Sequence, residues 1–133
     1  MVSSYVRDAH LPKVASRMVH RPRIWLTPFH RAEVAHAIFL HIFYRKLTQA
    51  DAALAWTSFE QDAARGVWIA VDLPEKAWET SIDLARRHGP LLGVRTLDSL
   101  HVASALELRA QKFWTFDERQ ARLAEAVGLD TTP

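Results

Sequence analysis

Three acidic side chains stand where a sheet protein collects its chemistry. Glu33 lies one turn into an amphipathic stretch that follows the short apolar run Ile-Trp-Leu-Thr at 24–27. Asp117 closes the run Phe-Trp-Thr-Phe-Asp at 113–117, and Asp98 falls in the first turn of a helical stretch from about Leu97 to Ala110. In an open parallel sheet the loops and helix starts converge at the carboxyl ends of the strands, so groups at those ends share one edge. Carboxylates brought together repel unless cations lie between them, and an all-oxygen set selects Mg²⁺ or Mn²⁺ over softer metals. The chemistry that needs such a cluster is in-line attack of metal-activated water on a phosphodiester. Each acid also has a plain structural use. Asp98 can complement a helix dipole, Asp117 can start a helix, and Glu33 can be solvated beside His30 or His36. Spacing leaves both uses open. Asp72 and Glu75 lie at a strand end too and read as cap and surface residues.

The elements that must position these acids are legible as short apolar runs alternating with long amphipathic ones. Segments 24–27, 67–72 and 113–117 are aromatic, β-branched and little interrupted by polar residues, as expected of strands covered on both faces. Helices are expected over 28–46 from Thr27-Pro28, over 48–65 from Thr48 to Gly66, and over 74–88 from Leu73-Pro74 to Gly89. A fourth runs over about 97–110. A fifth opens at Thr115-Phe116-Asp117-Glu118, which resembles a capping box, and ends before Gly128. Tyr5 to Val19 reads as helical with a break at Pro12. The fold class is therefore α/β, a three-layer and mostly parallel sheet with helices on both faces. Trp25, Trp68 and Trp114 are expected to be mostly buried.

Composition sets the outer bounds. At 133 residues, 49% apolar and 24% charged, the chain reads as one globular domain. It has no cysteine, which excludes disulfides, thiolate metal sites and cysteine nucleophiles and fits a reducing compartment. No apolar run approaches the ~20 residues of a membrane helix, and MVSSYVRDAH lacks a signal pattern, so the expected place is the cytoplasm with no membrane partner. Net charge is only +2, yet 13 of the 17 cations are arginine, with clusters at His20-Arg21-Pro22-Arg23 and Arg86-Arg87-His88. Arginine suits bidentate contact with phosphate, and the same clusters serve equally as solvated helix ends.

Other site chemistries find little support. Glu33-x-x-His36 and Asp98-x-x-His101 have the one-turn spacing of di-iron bundles, but those need further glutamates on other helices and no sheet. There is no HExxH, no GxSxG and no glycine-rich phosphate loop.

Arg95-Thr96-Leu97-Asp98-Ser99-Leu100-His101-Val102-Ala103-Ser104-Ala105, then Trp114-Thr115-Phe116-Asp117-Glu118-Arg119 and Ala126-Val127-Gly128-Leu129, resemble the C-terminal half of a PIN domain, particularly its VapC-like toxin branch. Upstream, Leu26 to Val34 is similar to the family's acidic-helix segment, and Val71-Asp72-Leu73-Pro74 to its third-strand exit. The resemblance implies a metal-dependent ribonuclease in which Glu33, Asp98 and Asp117 are catalytic and metal-binding, with Mg²⁺ or Mn²⁺ as cofactor. It implies a supporting role for Thr115, RNA contacts from Arg95 or Arg23, and as partners RNA, a cognate antitoxin and a second copy. The family's first strand ends in a further aspartate, and Met1-Val2-Ser3-Ser4-Tyr5-Val6 resembles the helix after it. Asp8 is no substitute, since it falls in the loop beyond. The expectation is thus an N-terminally truncated PIN-like domain that lacks the first central strand and holds three of four acids, with weak or no cleavage in this form. The alternative is a non-catalytic PIN-like module that still pairs with an antitoxin or itself.

Overall fold

The computed structural model describes Tyr5, residues 11–20 and residues 22–131. The readings of Met1 to Ser4, Val6, Asp8 and Arg21 lie outside the described residues. Chain contacts divide the molecule into two compact units, Met1–Asp72 and Leu73–Pro133.

The first unit contains α1 (Leu11–Met18), β1 (Ile24–Leu26), α2 (Pro28–Phe43), α3 (Gln49–Ala64) and β2 (Trp68–Ala70). The strands pair in parallel, with Ile24 opposite Trp68, Trp25 opposite Ile69 and Leu26 opposite Ala70. Both long helices begin at the threonines expected to cap them. Thr27 Oγ1 accepts the His30 N–H at 3.3 Å and Pro28 follows at the first helical position, where its missing N–H is no loss. The Thr27 N–H donates in turn to His30 Nδ1 at 3.3 Å, which closes the box from the other side. At α3 the Thr48 hydroxyl and the Asp51 carboxylate close a reciprocal box, with Asp51 N–H to Thr48 Oγ1 at 3.1 Å and Thr48 N–H to Asp51 Oδ2 at 3.3 Å. The apolar faces of these helices meet the strands in a core of Leu26, Val34, Ile38, Ala52, Ala55, Phe59 and Trp68. Tyr5 sits on its edge. The Trp68 Nε1–H donates to the Tyr5 hydroxyl at 2.7 Å, which donates to Asp62 Oδ2 at 2.7 Å, so the buried indole keeps a partner. Burial and the neighbouring Asp62 push the Tyr5 phenol well above its ordinary pKa.

The second unit is helical among its described residues: α4 (Lys76–Leu92), α5 (Thr96–Glu107) and α6 (Glu118–Ala126). Seven consecutive residues of α5, Asp98 to Ser104, are buried, and within its unit the helix packs against α4 and α6.

Five described residues adopt a left-handed backbone, and their types differ. Gly66, Gly93 and Gly128 sit just past helix ends at φ 76°, 61° and 82°. Arg45 and Arg109 hold the same post at φ 54° and 55°. After α2 the Lys46 N–H reaches the His41 carbonyl and the Arg45 N–H the Ile42 carbonyl, both at 2.9 Å. After α5 the Ala110 N–H reaches Ala105 and the Arg109 N–H reaches Leu106. These are the paired bonds of a Schellman ending, in which glycine is the unstrained choice; a residue with a Cβ costs about 1–2 kcal/mol there.

Several expectations are corrected. The segment 113–117 is not a strand: the Phe113 N–H donates to the Asp130 carbonyl at 2.8 Å and the Asp117 N–H to Thr115 Oγ1 at 3.0 Å. Backbone groups taken by a loop carbonyl and a local hydroxyl are lost to a ladder. The sheet among the described residues is therefore two-stranded, and the α/β class holds without a three-layer sheet. The tryptophan expectation holds: Trp68 is buried at 2% exposure, and Trp25 and Trp114 are mostly covered. Helix α4 passes through Gly89-Pro90 and stops at Gly93. Proline still forgoes its bond to the carbonyl four residues back, but glycine before it has no Cβ for the ring to strike, which removes one of the clashes that end helices there. The last helix is capped by Asp117, and Thr115 stands two residues outside it.

Candidate active site

The second unit assembles two of the expected acids around one glutamine. Asp98 is in the first turn of α5, where the helix dipole favours an anion, and its Oδ2 accepts the Arg95 N–H at 2.8 Å. It is 5% exposed. Asp117 caps α6, its Oδ1 accepting the N–H groups of Arg119 at 2.8 Å and Gln120 at 3.3 Å, with Arg119 Nε 3.9 Å from the same oxygen. Gln120 joins the two. Its Nε2 donates to Asp98 Oδ1 at 3.3 Å, and its Oε1 accepts the Thr115 hydroxyl proton at 2.8 Å. Thr115 Oγ1 then accepts the Asp117 N–H. A chain of bonds thus runs from the Asp98 carboxylate through the Gln120 amide and the Thr115 hydroxyl to the Asp117 N–H, and joins the two residues in one network.

Each carboxylate keeps capacity to spare. Asp117 Oδ2 accepts no hydrogen bond from the described residues, and Asp98 Oδ1 holds only the long bond from Gln120. Two carboxylates and a hydroxyl are hard oxygen donors, a set that fits Mg²⁺ or Mn²⁺. Beside Asp98, the Ser99 hydroxyl is fully buried and has no hydrogen-bond partner among the described residues.

The other expected residues are placed as follows. Glu33 lies half-buried on α2 in the first unit, and the structure's two units divide it from Asp98 and Asp117 in sequence. Arg23 and Arg95 are exposed, and Thr115 is partly buried. Among the described residues no three acids or histidines of either unit gather as a metal group. Asp72 is exposed and lines an open groove of about 590 Å³ in the first unit with Leu26, Thr27, Pro28, Arg31 and Trp56. Arg31 lies over the Trp56 ring at 5.8 Å and pairs with Glu60 through both guanidinium arms. Gln120 went unnoticed in the sequence. Its signal was the Asp117-x-x-Gln120 spacing, a cap followed three residues on by a side chain able to reach back.

The first unit thus supplies a parallel strand pair with its helices, and the second a pair of carboxylates at two helix starts. The chain matches the PIN domain family over residues 2–126, and it belongs to that family. PIN domains are nuclease-associated and typically depend on divalent metal. Comparison with curated proteins gives no match, and comparison with solved structures gives none. No helix among the described residues is long and apolar enough to cross a membrane.

Proposed function

We propose that the protein is a divalent-metal-dependent endoribonuclease of the VapC-like toxin type, with Glu33, Asp98 and Asp117 as the acids on which cleavage depends. The observation that carries this is the Asp98–Gln120–Thr115–Asp117 chain inside a sequence that belongs to a nuclease-associated family. Bound Mg²⁺ or Mn²⁺ would lower the pKa of a water and neutralise the phosphodiester as it is attacked. The residues' own part is to hold oxygens in place: the Arg95 N–H fixes Asp98, and the Arg119 and Gln120 N–H groups fix Asp117, so little reorganisation is left to the reaction. Thr115 supports Asp117 from behind. The exposed Arg95 and Arg23 suit RNA phosphates. A cognate antitoxin, a second copy and a cytoplasmic setting complete the reading.

The test is cleavage of a single-stranded RNA with Mn²⁺ or Mg²⁺, together with Mn²⁺ titration calorimetry. Asp98→Asn, which keeps the shape and removes the charge, is expected to lower cleavage about 10²–10³-fold and to weaken Mn²⁺ binding. Equal metal affinity in wild type and Asp98→Asn, with no cleavage by either, replaces this reading with the non-catalytic binding module.

A further inference from the structure

The turn between α2 and α3 carries a surface that the acids do not explain. Phe43 is 78% and Tyr44 58% exposed, and their rings meet edge to face at 5.3 Å. Large aromatic groups left in water at a helix end are unfavourable unless something covers them. Immediately after them come Arg45 and Lys46, both exposed and neither paired with an acid among the described residues. From His41 to Ala50 there is no carboxylate, and the first one beyond, Asp51, is turned onto Thr48 at 2.6 Å.

The backbone adds an independent observation. Arg45 occupies the left-handed post of the Schellman ending at φ 54°, where glycine is free of strain. The turn itself would be better built with glycine, as it is after α3, where Gly66 holds that post. An exposed, partnerless arginine in a strained position points to a use outside the folded chain.

We propose that the α2–α3 turn is a stacking platform for single-stranded RNA, in which bases lie against Phe43 and Tyr44 and the adjoining phosphates meet Arg45 and Lys46. Two cations without acidic partners favour a polyanion. Two exposed rings favour a ligand that is itself built of flat rings, and base stacking on aromatics is tolerant of sequence. The platform lies ten residues along α2 from Glu33, about 15 Å of helix axis. It thus engages nucleotides beyond any held at Glu33, which makes it a binding site rather than a part of the cleavage chemistry. The proposal rests on RNA being the substrate of this protein, and its test is arranged so that the two fail separately.

The test measures binding of a fluorescent single-stranded oligoadenylate to the full chain in EDTA, where cleavage is silent, alongside Mn²⁺-dependent cleavage of the same RNA. Phe43→Ala/Tyr44→Ala is expected to weaken binding about 5- to 150-fold, the range of stacking losses. Arg45→Gly/Lys46→Ala is expected to reduce the slope of log affinity against log salt by about 1.4, at about 0.7 per phosphate contact. Arg45→Gly alone is expected to leave the Tm unchanged or higher while still weakening binding. A structural role alone would move the Tm and not the affinity. Asp98→Asn serves as the control, losing cleavage and keeping affinity. Wild-type affinity in the platform variants overturns the proposal and leaves the ribonuclease reading standing; so does a switch from dimer to monomer in sedimentation with RNA affinity unchanged, which assigns the surface to a second copy. Wild type that fails to bind the oligonucleotide also overturns it. Binding that depends on the platform, with no cleavage under any metal, supports the platform and removes the ribonuclease reading.

Discussion

The residues up to Asp72 and those from Leu73 onward bury different things. In the first unit the described core is aliphatic and aromatic, and Thr27, a helix cap, is the one buried polar residue. In the second, Ser81, Asp98, Ser99, His101 and Ser104 are buried, four of them in one helix. Burying polar groups is unfavourable unless each finds a partner. Ser104 finds one in the Leu100 carbonyl at 2.6 Å, Asp98 finds two, and Ser99 finds none. The difference shows where stability and chemistry diverge. The first unit is organised by apolar packing, whereas the second keeps a polar helix in its centre, and that helix carries an acid of the candidate site.

The contrast breaks most readily at Phe59, which is fully buried beside Trp56 at 5.2 Å and Tyr5 at 5.7 Å. Phe59→Ala is expected to cost about 3–5 kcal/mol by chemical denaturation, since it removes a large side chain from a packed core. Hydrogen exchange should show α2 and α3 losing protection. A loss under about 1 kcal/mol would mean that packing does not dominate the first unit.

Ser99→Ala probes the other side. Removing a buried hydroxyl that has no partner relieves a desolvation cost and leaves the helix intact, so the variant should be as stable as wild type or up to about 1 kcal/mol more so. If instead it loses about 2 kcal/mol or more, the hydroxyl has a partner in solution, and the buried polarity of α5 is fully satisfied after all.

How much of this was legible in the sequence divides along the same line between local and distant causes. The starts of α2 and α3 were readable because Thr27-Pro28 and Thr48 act within one turn of themselves. Arg45 looked like any solvated cation, since its left-handed backbone follows from how α2 ends and leaves no mark on residue type. Segment 113–117 has strand composition, but a strand needs a neighbour, and what its backbone bonds to is Asp130 and Thr115. Gly89-Pro90 carried a stop signal that α4 overrides. At the candidate site, Asp98 stands at the helix start where it was read, whereas Asp117 was read at the end of a strand that does not form and stands instead at the start of α6. Gln120 was not, because its partner Asp98 is 22 residues away and a glutamine on a helix advertises no contact.

The smallest expected effect compares a surface carboxylate of each unit. Asp51 is held below its ordinary pKa by the Thr48 hydroxyl and then the Thr48 N–H, all within one cap. Glu107 is held below its own chiefly by the Thr80 hydroxyl at 2.6 Å, with Lys76 at 3.4 Å contributing less, and so it ties α5 to α4. A lowered carboxylate pKa means the folded state binds its proton less readily than the unfolded chain does. The stabilisation is therefore complete above the ordinary value of 4.5 and is lost as pH falls through the lowered one. Wild type should exceed Glu107→Gln in stability at neutral pH, and the gap should close on acidification below that value. Because a neutral hydroxyl is the leading partner, most of the gap should survive about 1 M salt, which screens the Lys76 pair and leaves the Thr80 bond. A gap that salt erases would make the ion pair the dominant link between α4 and α5. A gap that does not change with pH would show that Glu107 meets Thr80 through its shape alone, since glutamine keeps an acceptor oxygen at the same reach.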